Sequence, residues 1–573
     1  MADNAGNNDH ESPIEKIIDE IPSHQKFDPL VGHPQRKAIL AVMCLSLIVI
    51  VLDNSILNVA IPTISQSLSA TDQQLLWIID SYTLIFAGLL LTAGTLGDKY
   101  GRRLLLQIGL AIFGIASLVS AFADSPTQLI IGRGLMGIGG ACIMPSTLSI
   151  ITNVFPPRER GKAIGIWAAF AGIGVAIGPL TGGFLIEHFW WGSVFLVNIP
   201  IVVFGVIANQ VLVPESKADT SEKVDYIGAA LSVIALISLL YGIIFGADEG
   251  FLETHVVIAL IIAVISLTSF FVWESKTPQP MLQLKFFKDR RFSAGALSIT
   301  FVFFAMFGMS FLLTQYLQSV LSFSPLESGV RFIPFAIAMV ITAPTSAKVA
   351  SKIGTKFTVA TGLSLVMIAL ISMTTLQYND SYTKVVWMMV LMAVGMGLTM
   401  APATSAVMNS LPRDKAGVGS AMNDTTRMVG GALGLAISGS VFASIYSDRL
   451  RKTPAIQDLR VVLENEGVSK AQQDLLETNL TDSIGKALGT ADALRNPELI
   501  PDAMLRNRIA EFPQDIRDNV SDTITLAAQK SFVEGMHLGL WVSVVAVAIA
   551  IIVALKWLPK NSMSEEQTSG TAH

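Results

Sequence analysis

What most limits this chain's fold is the recurrence of apolar runs about as long as a bilayer is thick. A helix needs about 20 predominantly apolar residues to cross the hydrocarbon core. Fourteen such runs occur, near 38–61, 74–97, 104–123, 128–152, 162–186, 192–213, 225–246, 254–273, 292–317, 328–350, 356–377, 384–410, 416–446 and 532–558. Composition agrees. Of 573 residues, 51% are hydrophobic and only 14% charged, against about 25% charged in soluble domains. A water-soluble chain of this size, a disordered one and a collagen-like one are excluded. A net charge of −5 also excludes a nucleic-acid-binding domain. Cys44 and Cys142 both lie in apolar runs, so neither a disulfide framework nor a CxxC metal site is expected. The expected class is an all-α polytopic membrane protein with no cofactor and no metal.

Lys and Arg in the short connections set the orientation. They gather before span 1 (Arg36, Lys37), after span 2 (Lys99, Arg102, Arg103) and after span 4 (Arg158, Arg160, Lys162). Later groups are Lys276 to Arg291, then Lys348, Lys352 and Lys356, then Arg413 and Lys415. Every second connection is basic, which predicts both termini in the cytoplasm of a multi-pass protein in the cell membrane. Residues 1–37 hold seven acids and four bases, so no cleavable signal peptide is expected there. One connection is unusual. Residues 447–530 carry fourteen acids and eleven bases, a net of −3, and fall on the outside. Amphipathic stretches at Asp458–Leu463 and Ala503–Ile509 predict short helices in an ordered hairpin or cap over the outer mouth.

The chain also repeats itself. Gly137, Gly139, Pro145 and Thr147 of span 4 match Gly395, Gly397, Pro402 and Thr404 of span 12. The loop from Pro157 to Gly161 matches the loop from Pro412 to Ala416, and Gly101 and Gly109 match Gly354 and Gly362. The offset is about 253–258 residues throughout. The repeated units are therefore spans 1–6 (38–213) and 9–14 (292–558, with the 447–530 segment), and spans 7–8 (225–273) form an inserted pair. Tails are assigned to 1–37 and 559–573. Two parallel six-span repeats suit an alternating-access carrier with its site between them.

The loop after span 2 holds Gly94, Gly97, Asp98, Lys99, Gly101, Arg102 and Arg103. Its glycines permit a tight turn and close helix approach, and Asp98 can pair with a guanidinium or cap a helix start. The group resembles the hallmark loop of the major facilitator superfamily. Three further motifs agree. Leu52 to Pro62, with Asp53, Asn54 and Asn58, is similar to the first-span signature of the fourteen-segment drug:proton antiporter branch. Arg133 to Gly140 resembles the proton-linked motif of span 4. Gly174, Gly178, Pro179, Gly182 and Gly183 resemble the antiporter motif of span 5. Asp80, between Trp77 and Tyr82, is similar to quaternary-ammonium and dye efflux pumps. The resemblance implies the major facilitator fold, two six-helix bundles plus the inserted pair, and places the loop as a conformational latch.

Ionisable residues inside spans are functional suspects because they are costly there. Asp53 and Arg133 sit at similar depths in spans 1 and 4, which predicts an ion pair across the N-terminal half; a permanent structural salt bridge is the alternative. Asp424 and Arg427 of span 13 are three apart and share a helix face. These four are the expected proton-coupling residues. Asp80 has no neighbouring base in sequence and is expected to face a wet cavity and attract a cation. Asn54, Asn58 and Asn423 join it as expected substrate contacts. Asn423 stands where the related pumps tend to carry an acid, and the span 10 run from Phe335 to Pro344 lacks one also found there. Both departures favour monovalent over divalent cations. Phe304, Phe307 and Phe311 recur at i, i+3 and i+7 and are either a stacking face for planar cations or a lipid-facing stripe. Gly174, Gly178 and Gly182, four apart, offer a smooth stripe for close packing, expected at the seam between halves. No GxxxxGK[ST] occurs: Gly161-Lys162 is followed by Ala163 and Gly485-Lys486 by Ala487. The function expected is proton-coupled efflux of lipophilic cations by a non-enzymatic, monomeric carrier in contact with the bilayer. The rivals are an exporter of one endogenous metabolite or lipid-like compound, and a non-transporting sensor or scaffold.

Overall fold

The computed structural model describes residues 31–218, 224–465, 470–500, 503–511 and 513–559. Most of the two assigned tails, 1–37 and 559–573, lies outside the described residues. Among those described there are fourteen membrane-length apolar helices and no strand, the all-α class expected. Span 1 is Arg36–Leu68, span 2 Asp72–Tyr100, span 3 Arg102–Ala121, span 4 Pro126–Val154 and span 5 Pro157–His188. Span 6 is broken into Ser193–Leu196 and Asn198–Leu212. Spans 7 and 8 are Tyr226–Asp248 and Thr254–Lys276. Span 9 is Arg290–Gln315 and ends in a π turn, Tyr316–Val320. Span 10 is Pro325–Val330 and Ile333–Ile353, followed by span 11 Thr355–Met373, span 12 Tyr382–Asn409, span 13 Ala416–Arg451 and span 14 Gln514–Trp557. The starts follow local chemistry. Thr71 and Gln74, and Ser324 and Glu327, form capping boxes before spans 2 and 10, and Ser125 caps span 4 with Pro126 in its first turn.

Two buried apolar clusters correspond to the two halves. One is built on spans 1–6 and the other on spans 9–14. The repeat extends to backbone detail. Gly101 and Gly354, which open spans 3 and 11, both have positive φ, 125° and 85°, a conformation glycine adopts without penalty. A Cβ on Gly109 would meet the Gly139 carbonyl at 2.9 Å, and one on Gly362 would meet that of Gly395 at 2.6 Å. The same helix pair is thus pressed together by glycines in each half.

The inserted pair lies along one seam. Span 7 packs on span 2, where Ile237 fills the space a Gly88 side chain would need. Leu84, Ala87 and Leu240 cluster there with Met428 of span 13. The other seam is span 5 against span 10, where Gly165 meets Ala343 and Pro344, Gly172 meets Met339, and Gly183 meets Leu326.

One expectation needs correction here, and another gains detail. The stripe of Gly174, Gly178 and Gly182 does not form the seam between halves. It receives Val51, Ser55 and Ile56 of span 1, inside the N-terminal half, because the helix turns those glycines away from the face that carries Gly165, Gly172 and Gly183. The segment 447–530 is largely helical, but spans 13 and 14 run well past their apolar ends into it. Between them lie helices Pro454–Asn465, Lys470–Asp482, Ile484–Arg495 and Ala503–Glu511. Ile456, Leu480, Ile484, Ala487 and Ala491 join the core of the C-terminal half. Tyr446 donates to the Leu480 carbonyl at 3.2 Å and Ser521 to that of Ala491 at 2.8 Å. The cap is therefore seated on the C-terminal bundle.

Candidate functional site

Span 1 carries Asp53 into the N-terminal bundle, where Arg133 of span 4 meets it. The two form a fully buried ion pair through Arg133 Nη1 and Asp53 Oδ2. Arg133 Nε also donates to the Ile78 carbonyl of span 2 at 3.1 Å, and the guanidinium lies 4.4 Å from the Tyr82 ring. Asp53 Oδ1 accepts from Asn198 Nδ2 at 3.0 Å. Burying one member alone would be strongly unfavourable; the pair is tolerated because each charge has its counter-charge and further hydrogen bonds.

The second acid–arginine pair is looser. Asp424 and Arg427 share one face of span 13, with Arg427 Nη1 3.8 Å from Asp424 Oδ1. Asn423 Nδ2 donates to that oxygen at 3.2 Å, and Asn423 Oδ1 accepts from Thr404 of span 12 at 3.1 Å. Asp424 Oδ2 and Arg427 Nε have no hydrogen-bond partner among the described residues. The guanidinium lies between two aromatic rings: Trp167 of span 5 at 4.9 Å and Phe303 of span 9 at 5.4 Å. Trp167 belongs to the other half and is fixed there by its Nε1 donating to Thr147 at 3.2 Å. Arg427 therefore bridges the two halves inside the membrane-spanning region.

The group expected as a loop after span 2 is instead the last turns of the span 2 helix, Gly94 to Tyr100, with Gly101 alone separating it from span 3, and it joins the halves at the face that carries the basic connections. The first turn of span 13 has no side-chain cap of its own. Asp98 supplies one from the opposite half, accepting from Gly417 N at 2.7 Å and Val418 N at 3.0 Å. Arg102 donates to Asp98 at 2.7 Å and to the Arg413 carbonyl at 2.7 Å. Both roles open to Asp98 in the sequence, guanidinium partner and helix cap, are present together. Gly94 lies where any side chain would strike Gly417 and Ala421. Gly97 faces Leu105, and Gly101 lies against the Glu215 carboxylate, which also pairs with Arg103 at 3.7 Å.

The remaining candidates are dispersed. Asp80, expected to be an unpaired acid facing a wet cavity, is 8% exposed and engages neighbouring groups. Asn54 is exposed, with its amide donating to the Ile50 carbonyl at 3.1 Å; the Asn58 side chain lies outside the described residues. The rings of Phe307 and Phe311 lie against Gly431 and Gly439 of span 13, whereas Phe304 meets Gly434 through its backbone, and Phe307 alone keeps large exposure, 42%. Phe303, one residue out of that register, is the ring that meets Arg427. Pro179 and Gly183 face span 10, where Pro179 abuts Gly329. As site residues, sequence reasoning missed Asn198, Thr404, Trp167 and Phe303, neutral residues of which only Thr404 carried a signal, as the repeat partner of Thr147.

A family model described as Major Facilitator Superfamily matches residues 43–435. The multidrug resistance protein Stp of Mycobacterium tuberculosis (strain CDC 1551 / Oshkosh) is 30% identical over 519 residues, 90% of this chain and 91% of its own length. The methyl viologen resistance protein SmvA of Salmonella typhimurium (strain 14028s / SGSC 2262) is 32% identical over 461 residues, 80% of this chain and 92% of its own. Among solved structures, the human organic anion transporter MFSD10 (TETRAN) superposes with a TM-score of 0.52 at 14% identity, over 72% of this chain and 94% of that one; the likeness is one of fold. With two repeated bundles, buried acid–arginine pairs and a family model matched across most of its length, the chain belongs to the major facilitator superfamily and is a multi-pass membrane transporter.

Proposed function

We propose that this transporter is a monomeric proton-coupled antiporter. It exports lipophilic cationic drugs, dyes and antiseptics from the cytoplasm across the cell membrane, with its termini and basic loops on the cytoplasmic side. The observation that carries the proposal is the presence of a buried carboxylate–arginine pair in each half. One is enclosed within the N-terminal bundle (Asp53 and Arg133); the other lies beside the seam (Asp424 and Arg427). A carboxylate in such a setting can exchange a proton when the cavity beside it opens to water, and its arginine holds the site together while it is charged. The names of Stp and SmvA, for multidrug and methyl viologen resistance, support drug export.

In the proposed orientation, the face closed by Asp98 is cytoplasmic, so the described state is closed on that side. Protons then enter at Asp53 and Asp424, Asp80 draws the cation along its path, and release of the Asp98 latch lets the halves rock. Asn423 and the exposed Asn54 contribute polar contacts, and the phenylalanines of span 9 contribute apolar ones. Purified protein in proteoliposomes should move ethidium in opposite directions under inside-acidic and inside-alkaline gradients. Flux indifferent to the gradient would overturn the antiport mechanism. Full resistance in a pump-deficient host carrying Asp53→Asn or Arg133→Ala would overturn the assignment of the pair.

A further inference from the structure

Asp53 has a second partner that carries no charge. Asn198 begins the second segment of span 6, just after the break at Val197, and is wholly buried. Its Nδ2 donates both hydrogens, one to Asp53 Oδ1 at 3.0 Å and one to Ser117 Oγ at 3.1 Å. The Ser117 hydroxyl in turn donates to the Phe195 carbonyl at 2.8 Å. Asn198 Oδ1 has no hydrogen-bond partner among the described residues.

The two protonation states of Asp53 need different neighbours. A carboxylate only accepts; a carboxylic acid must also donate. Arg133 only donates, so it can keep its bond to Oδ2 but cannot accept a hydrogen bond from the protonated form. An amide carries both functions. Turned about its terminal bond, Asn198 would place Oδ1 where Nδ2 now lies. It would then accept from the Asp53 hydroxyl and from Ser117, whose hydroxyl swings from the Phe195 carbonyl. The proton comes to rest on Asp53 Oδ1, the two Nδ2 hydrogens turn to the place Oδ1 now holds, and the Phe195 carbonyl gives up the Ser117 hydroxyl. We propose that Asn198, seated by Ser117, is a positioning residue that satisfies Asp53 in both its charged and its protonated form.

This rests on Asp53 being a proton site, as proposed above. The charged and titratable groups facing Asp53 are Arg133 from span 4 and the Tyr82 phenol from span 2. Span 5 presents glycines to span 1 beside it, its own charged residues lying at its ends, Arg158 to Lys162 and Glu187 to His188. Span 6 carries no charged residue. Asn198 is thus the one neutral donor–acceptor on Asp53 within the described hydrogen-bond network.

The test measures gradient-driven ethidium exchange against pH with the full chain in proteoliposomes, for Asn198→Leu, Ser117→Ala, Ser117→Thr and Asp53→Asn. Asn198→Leu should still bind ethidium, but its exchange should fall about tenfold and the midpoint of its pH profile should move by about one unit. Ser117→Ala should move the midpoint less, and Ser117→Thr, which keeps the hydroxyl, should restore it. An Asn198→Leu protein with the wild-type pH profile overturns the proposal. If that variant does not reach the membrane, Ser117→Ala decides: a displaced midpoint supports the proposal and an unmoved one overturns it. Asp53→Asn separates the two layers. If it keeps gradient-driven exchange, Asp53 is no proton site; if it loses exchange while Asn198→Leu behaves as wild type, only the role of Asn198 falls.

Discussion

Asp53 and Arg133 lie 80 residues apart in the chain and meet where neither has access to solvent. Removing one member of such a pair strands the other, at a cost of about 3–5 kcal/mol, whereas replacing both with neutral groups of similar volume is close to neutral. Arg133→Met should therefore lower the thermal midpoint of the solubilised protein more than the double variant Asp53→Asn/Arg133→Met does. Additive losses would show that the pair is not coupled. This contact was legible in the sequence because charges are rare inside spans and the two depths matched. The shell around the second pair was not legible. Trp167, Thr404 and Phe303 are neutral, and their role depends on which face of spans 5, 12 and 9 turns toward Arg427.

At the level of elements, span 5 shows what spacing can and cannot specify. Glycines four apart announce a close helix contact, yet either neighbour of span 5 could have filled it. Span 1 fills it: a side chain at Gly178 would overlap Ser55, two residues from Asp53. Gly178→Val should displace span 1 and abolish transport together with stable folding. The cap offers the contrasting case. Gly489 lies within helix Ile484–Arg495 with open space around it, so Gly489→Ala should leave transport intact and stabilise the cap helix by up to about 1 kcal/mol. Thermal melts and ethidium exchange on both variants check the pair of outcomes; a Gly178→Val protein that melts and transports like wild type would refute the clamp on span 1. The helices of spans 13 and 14 outrun the apolar edges near 446 and 532 for a related reason. Hydropathy marks where a helix leaves the membrane, and spans 13 and 14 continue as helices beyond it.

For the whole molecule, the question is what holds the halves together at the basic-loop face. Asp98 caps span 13 from the opposite half while bound by Arg102. Asp98→Asn would weaken charge-assisted bonds worth about 1.5–3 kcal/mol each, enough to shift the balance of states by about tenfold or more toward opening of that face. A cysteine introduced at Ala421, fully buried beside Gly94, should then react faster with a hydrophilic thiol reagent added on that side. An unchanged rate would remove Asp98 from the latch. By itself the sequence determined the fourteen spans, the duplication, the family and the few intramembrane charges. Each of those is a property of residues taken locally or compared along the chain: length of apolar run, period of repeat, scarcity of charge. Only the tertiary structure decided that the inserted pair lies along spans 2 and 13, that the cap is seated on the C-terminal half, and that Arg427 reaches Trp167 across the seam. These depend on helix rotation and pairing. In hydrocarbon, polarity no longer labels the inward face of a helix, so close packing and hydrogen bonding between distant segments settle the matter.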